Sequence, residues 1–177
     1  MSKRKKVMII VVVILIYIIG AAVIVIGITS SKADISKEDA QELIVSEMDS
    51  LKTAFEEDGD EIIPVITKDS EIIVRSVKKK DGKTVAECEF LSPNVYSALE
   101  SLMKKYGYEQ VTYDFMMDEI VQAILNAPKE KQAAEVTLEK KDDQWQVIMD
   151  YNVLDAYLGG YISFGATALK AVEETEQ

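Results

Sequence analysis

The 177-residue chain contains no histidine and only one cysteine, Cys88. The lack of histidine rules out a Ser-His-Asp triad, an imidazole metal ligand and an imidazole pH switch. A single cysteine cannot close an intramolecular disulfide, so the chain is not a disulfide-stapled secreted miniprotein. Basic residues are also scarce, with 20 Lys and Arg against 31 Asp and Glu. The net charge of −11 argues against a nucleic-acid partner, because phosphate contacts need clustered basic residues.

Charge is divided unevenly along the chain. The first 33 residues hold five basic residues and no acidic one, whereas residues 34–177 hold 15 basic and 31 acidic residues, a net charge of −16. The acidic stretch has the length of one ordinary domain and can bury a real core. We therefore expect a single acidic domain, and its charge favours a basic partner over anionic lipid.

An apolar run without a charged residue extends over residues 7–28. As a helix it would be about 33 Å long, which matches the ~30 Å hydrocarbon core of a bilayer. Basic residues 3–6 precede it and only Lys32 follows closely, so the positive-inside rule places the N-terminus in the cytoplasm. A cleaved signal peptide is the alternative, since residues 31–33 offer small residues at a cleavage site, but the run is longer than typical signal-peptide cores. We predict an uncleaved, single-pass signal-anchor in the cell membrane.

The predicted organisation therefore has five parts. They are a basic cytoplasmic tail (1–6), a transmembrane helix (7–28), a tether (29–35), an extracytoplasmic domain (36–172) and a polar tail (173–177). A tether of about six residues reaches at most ~20 Å, so the domain is held close to the bilayer. Such anchoring raises the effective concentration for a membrane-associated partner.

Helical periodicity is clearest at the start of the domain. Ser36 is a good N-cap, apolar residues follow at the spacing of one buried helix face, and Gly59 ends the pattern. Pro64 then lies in a short apolar run that we expect to be at most an edge strand. Ser92 and Pro93 predict the start of a second helix, with Ser92 as its N-cap. Further helices are predicted over residues 113–125 and, capped by Asn152, over residues 152–172.

Two alternating patterns predict hairpins. Residues 72–77 and 84–90 are joined through Asp81 and Gly82, a pair that favours a tight turn, and a second alternating pair flanks Asp142 and Asp143. The order of helix, hairpin, helices, hairpin and helix indicates the α+β class. We predict a curved antiparallel sheet packed against helices.

Two stretches carry a resemblance to a known group of proteins. Residues 136–161, VTLEKKDDQWQVIMDYNVLDAYLGGY, resemble the C-terminal hairpin and helix of small membrane-anchored or lipid-anchored proteins of Gram-positive bacteria, whose folds are similar to nuclear transport factor two or to cystatin. Residues 87–96, ECEFLSPNVY, are similar to a strand entering a helix in the same proteins. The resemblance implies a curved sheet wrapped by helices, often without a known catalytic role. The helices at 93–106 and 113–125 depart from the general pattern.

The last predicted helix offers a candidate partner-binding surface. It combines glycine with large aromatic residues at Tyr157, Gly160, Tyr161 and Phe164. Glycine inside a helix costs about 1 kcal/mol relative to alanine, so its presence requires a reason. Close approach of another element, from within the domain or from a partner, would supply that reason.

A second set of residues could line a small-molecule pocket. Its members are Phe90, Met116, Met117 and Trp145, although an ordinary filled core would use the same side chains. No metal or other cofactor is expected, because the acidic run 56–61 lacks the spaced oxygen ligands of an EF-hand loop. Cys88 lies between Glu87 and Glu89, whose charges disfavour a thiolate, and is interpreted as a core residue.

These observations predict a protein that is not an enzyme. The expected function is a membrane-anchored extracytoplasmic module that binds another protein, in an accessory, inhibitory or immunity-type role. A small-molecule-binding domain at the cell surface is the alternative.

Overall fold

The computed structural model describes residues 28–29, 34–106 and 113–175. In chain order its elements are β1 (Ile28–Thr29), α1 (Lys37–Glu57), α2 (Ile63–Thr67), β2 (Glu71–Lys80), β3 (Lys83–Pro93), α3 (Val95–Tyr106), α4 (Tyr113–Leu125), β4 (Lys129–Lys141), β5 (Gln144–Ile148), α5 (Tyr151–Tyr157) and α6 (Tyr161–Thr175). Within the described ranges no helix is long and apolar enough to cross a membrane. The predicted span, residues 7–28, lies outside those ranges except for its last residue.

The strands β2 to β5 form an antiparallel sheet in which neighbours in space are neighbours in order along the chain. The predicted turn residues Asp81 and Gly82 join β2 to β3, both with positive φ. Asp142 and Asp143 join β4 to β5 in the same way. The two-residue β1 pairs with β5 at one edge, with Ile28 opposite Trp145. The predicted fold class, α+β with an antiparallel sheet packed against helices, is confirmed for the described residues.

The helix α1 begins and ends where the sequence predicts. The Ser36 hydroxyl accepts a hydrogen bond from the backbone N–H of Asp39 at 3.0 Å, and Gly59 has a φ of +78° just beyond the helix. The apolar face of α1 packs on one side of the sheet, next to β2 and β5, and belongs to the same core as Val74. Burial of this face supplies most of what holds α1 in place, since helices of this kind depend on tertiary packing more than on propensity.

The prediction of an edge strand around Pro64 is wrong, because this segment forms the short helix α2. The Asp60 carboxylate accepts hydrogen bonds from the backbone N–H groups of Ile62 and Ile63, at 2.8 and 2.7 Å. These bonds satisfy donors that a helix start leaves free. Proline is tolerated in the first turn of a helix for the same reason, and Ile66 then reaches the core.

The predicted start of the second helix is also wrong. Strand β3 continues through Pro93, which pairs with Lys129. The cap of α3 is Asn94, whose side-chain oxygen accepts from the backbone N–H of Ser97 at 3.0 Å. Ser92 is completely buried, and its hydroxyl donates to the backbone carbonyl of Ala156 at 3.2 Å.

The last predicted helix is interrupted. Asp150, and not Asn152, caps α5, because its carboxylate accepts from the backbone N–H of Val153 at 3.0 Å. The chain then turns through Gly159 and Gly160, both with positive φ, before α6 begins. The interruption lets α5 pack against the sheet and α6 against α3.

Candidate functional site

The predicted partner-binding residues lie mostly inside the domain. Tyr157 is 5% exposed and packs edge-on against Phe90, with 6.3 Å between ring centroids. Phe164 is 8% exposed and packs in the same manner against Tyr96. Gly160 is buried and Tyr161 is half-buried. Three of these four residues therefore make their contacts within the chain, and their role in binding a partner stays a prediction.

The glycines at the α5–α6 corner allow a close backbone approach within the domain. A Cβ atom built on Gly159 would lie 1.9 Å from the carbonyl oxygen of Pro93, and one built on Gly160 would lie 2.9 Å from Cβ of Tyr96. The backbone N–H of Tyr96 donates to the carbonyl of Gly159 at 3.1 Å. The corner thus packs against the beginning of α3, and this contact supplies the reason that the sequence required.

Two of the predicted pocket residues, Phe90 and Trp145, lie far apart in the sheet. Phe90 and Trp145 are both buried on the inner face of the sheet. Strand pairing places Trp145 opposite Lys140 on β4. Lys140 lies two residues beyond Leu138, whose partner Thr84 lies six residues before Phe90 on β3. Phe90 and Trp145 are therefore eight strand positions apart, about 27 Å at ~3.4 Å per residue. Met117 is half-buried on α4, whereas the side chain of Met116 lies outside the described residues.

Burial makes the thiol of Cys88 and the hydroxyl of Tyr157 harder to deprotonate. Burial raises the pKa of the Cys88 thiol to about 12. Burial, with a smaller effect of the Asp49 charge, raises the pKa of Tyr157 to about 12, although a hydrogen bond to the side chain of Thr67 acts in the opposite direction. A protonated thiol is a poor nucleophile. Over the ranges that the structure describes, no group of acidic or thiol side chains is arranged to hold a metal ion.

Trp145 lies at the end of the sheet where the chain enters the domain. Its indole N–H is buried and has no hydrogen-bond partner among the described residues. The Lys79 ammonium lies 5.8 Å from the ring centroid, donates to the Thr84 hydroxyl at 2.6 Å and lies 3.7 Å from the Asp34 carboxylate. This cation–π contact covers the end of the core next to β1.

The outer face of the sheet carries a ladder of charges. Glu87 and Glu135 lie directly opposite each other on β3 and β4, a pairing that repels unless it is compensated. Lys78 compensates both, because its ammonium donates to Glu87 and lies 3.7 Å from Glu135. The hydrogen bond from Lys78 lowers the pKa of Glu87, and one from Lys80 lowers the pKa of Glu135. The alternation of charges along these strands is visible in the sequence, but their pairing depends on the register.

The outward face of α1 is acidic. The helix contains seven acidic and two basic residues, and Glu47 is the one acidic residue among them that is buried. A shallow depression of about 380 Å³ runs along it, open to solvent, and its lining consists of Glu42, Val45, Ser46, Asp49, Ser50 and Thr53. All of these residues come from one helix, and the depression is open, unlike the enclosed pockets in which small molecules bind.

Comparison with known proteins gives no relative for this chain. No protein-family model matches it, and neither the curated proteins nor the solved structures contain a significant match.

Proposed function

We propose that this chain is a non-catalytic membrane protein whose extracytoplasmic domain binds another protein at the outer face of the membrane. It acts as an accessory, inhibitory or immunity-type module. The observation that carries the proposal is the outward face of α1, where acidic and hydroxyl side chains surround an open, shallow depression. A surface of this shape suits a protein better than a small molecule, which binds in enclosed, mainly apolar pockets.

The partner in this proposal presents a basic surface. Residues 34–177 carry a net charge of −16, and the charges on the outer face of the sheet are paired with one another. By contrast, α1 has only two basic residues for its seven acidic residues, which include Glu42. Long-range attraction of a basic partner to such a surface speeds association and weakens as salt is added.

The membrane anchor in this proposal is the apolar run of residues 7–28, with the N-terminus in the cytoplasm. Its last residue, Ile28, is already a strand residue of β1 and so is not part of the membrane helix. The pairing of Ile28 with Trp145 supports a close attachment, because the sheet then begins where the predicted span ends. We also propose that the domain is related to the proteins whose folds are similar to nuclear transport factor two or to cystatin. The antiparallel sheet with helices on one face agrees with it, and α3 and α4 are the departure from that pattern.

The orientation can be tested in intact cells with cysteine labelling. The single native cysteine is buried, so a membrane-impermeant maleimide should leave the wild-type chain unlabelled. A cysteine in place of the exposed Ser97 should be labelled from outside, whereas one in place of Ser2 should react only after the membrane is opened. Labelling of position 97 only in opened cells would contradict an extracytoplasmic domain.

Partner binding can be tested with a photoreactive residue in the full chain in its native membrane. Thr53 lines the depression, and the exposed Ser101 on α3 is a matched control because each hydroxyl is bonded only within its own helix. The probe at position 53 should give one discrete adduct that weakens with Glu42→Lys. No adduct at position 53, or equal adducts at both positions, would contradict the proposal that a partner binds at this surface.

A further inference from the structure

The strand β4 is much longer than its neighbour β5, and among the described residues no strand pairs with part of its edge. β4 pairs with β3 over residues 129–138, whereas β5 pairs with β4 only over residues 137–141. Residues 130–136, here called the β4 window, therefore have strand β3 on one side only. Among the described residues no strand lies along the other side.

The geometry of the turn between β4 and β5 shows which backbone N–H and C=O groups of β4 point away from β3. Residues that flank a two-residue hairpin turn exchange hydrogen bonds, and this pattern alternates along the strand. Lys141 and Gln144 flank the turn, so every second residue of β4 back from Lys141 points its N–H and C=O toward the β5 side. Within the β4 window these residues are Lys131, Ala133 and Glu135. Such a row of unpaired groups is a template for another strand.

We propose that a second copy of this chain occupies the β4 window, with the two β4 strands antiparallel and centred on Ala133. This arrangement pairs Lys131 of each copy with Glu135 of the other and places the two small Ala133 side chains together. This overlap stops short of β5, because Ile148 already occupies the position opposite Thr137. The interface is self-complementary, as a two-fold dimer requires.

The exposed hydrophobic residues support the second copy as the occupant. The large apolar side chains most exposed in the described chain are Leu125 (54%), Tyr151 (45%) and Ile148 (40%). Leu125 lies just before β4, at one end of the window, and Ile148 and Tyr151 follow at the other end. Antiparallel pairing brings Leu125 of one copy toward Ile148 and Tyr151 of the other. Large exposed apolar groups around one edge are typical of an interaction surface.

Cysteine crosslinking of the full chain in its membrane tests the register. Directly paired residues in an antiparallel sheet have Cα atoms about 5.5 Å apart, within the range of a disulfide. Ala133→Cys should form a reducible dimer on mild oxidation. Ser97→Cys, at an exposed site on α3, is the control, and the wild-type chain with its buried Cys88 should form no disulfide-linked dimer under the same conditions. Crosslinking of Ala133→Cys at or below the level of Ser97→Cys would overturn the proposal.

A proline substitution separates association from folding. The N–H of Ala133 points away from β3, so Ala133→Pro removes only a free-edge donor, and edge positions tolerate proline. Ala134→Pro removes a bond to β3 and should lower the melting temperature. In detergent, light scattering should show a protein mass of two chains for the wild type and of one chain for Ala133→Pro, with similar melting temperatures. A monomeric wild type, or a dimer that survives Ala133→Pro, would overturn the proposal.

Discussion

The side chain of Gln41 on α1 pairs with the backbone of Val74 at the outer edge of β2. Its Oε1 accepts from the N–H of Val74 at 2.7 Å, and its Nε2 donates to the carbonyl of Ile72 at 2.8 Å. The amide thus makes the two bonds that a further strand would make. Because exposed strand edges invite pairing with other chains, this contact protects one edge of the sheet. Among the described residues, no strand pairs with the β4 window on the side away from β3.

Replacing Gln41 with alanine should weaken this edge. Each hydrogen bond contributes about 0.5–1.5 kcal/mol, so we expect Gln41→Ala to lower the free energy of unfolding by about 1–2 kcal/mol. The amide of Val74 should also exchange faster with solvent. Urea denaturation and hydrogen exchange measure the two effects. Gln122→Ala, at an exposed site on α4, is the control, and an unchanged exchange rate at Val74 would show that the Gln41 contact is not maintained in solution.

The corner between α5 and α6 should not accept a side chain at Gly159. Alanine there combines a left-handed backbone conformation with a clash against the carbonyl of Pro93, so we expect a loss of about 3–5 kcal/mol in stability. Gly82 is a matched control, because its φ is similar and a Cβ atom would meet nothing within 4 Å. Gly82→Ala should cost only about 1–2 kcal/mol. Equal losses in urea denaturation would mean that the corner relaxes away from Pro93.

The helix α6 receives its N-terminal cap from the preceding helix. The Asp155 carboxylate accepts from the backbone N–H of Ser163 at 2.8 Å and from its hydroxyl at 2.6 Å. Removing a capping side chain typically costs about 0.5–2 kcal/mol, so Asp155→Ala should lower the free energy of unfolding by that amount. Asp155→Asn should retain part of it, because the amide oxygen can still accept. The exposed Asp118→Ala is the control in the same denaturation series, and an equal loss there would contradict the capping role.

The sequence predicts the elements whose signals are local. Ser36 and the turn at Asp81 and Gly82 act through neighbouring backbone, so the start of α1 and the first hairpin follow from a few adjacent residues. The interruption at Gly159 could not be predicted, because the atom that forbids a Cβ belongs to Pro93, far away in the chain. The fate of Pro64 depends on Asp60, whose carboxylate starts a helix where the apolar pattern alone suits a strand.

The candidate sites were harder to predict for a related reason. Alternation along a strand tells which face a side chain occupies, and it correctly groups Phe90 with Trp145 on the inner face. It does not tell how far apart two strands place them, which depends on the register. Aromatic residues such as Tyr157 and Phe164 are equally suited to a core and to an interface, and only tertiary contacts distinguish the two.

Glu47 on α1 should make the protein less stable at neutral pH than a neutral side chain would. It is 4% exposed, and burial raises the pKa of its carboxyl. When the pKa of a carboxyl is higher in the folded state than in the unfolded state, protonation of that carboxyl stabilises the fold. This stabilisation is lost as the pH rises through the folded-state pKa. The hydrogen-bonded Glu87, with a lowered pKa, acts in the opposite direction, since its contribution is lost as the pH falls.

Glutamine imitates the protonated form of Glu47 and isolates this effect. We expect Glu47→Gln to raise the free energy of unfolding at pH 7, and the gain should shrink as the pH falls into the range where the carboxyl of the wild type becomes neutral. Glu42→Gln, at an exposed site on the same helix, is the control. Urea denaturation at several pH values measures both variants. A loss at pH 7 would mean that the Glu47 carboxylate has a stabilising partner, and a gain that does not depend on pH would mean that packing, and not charge, distinguishes the two side chains.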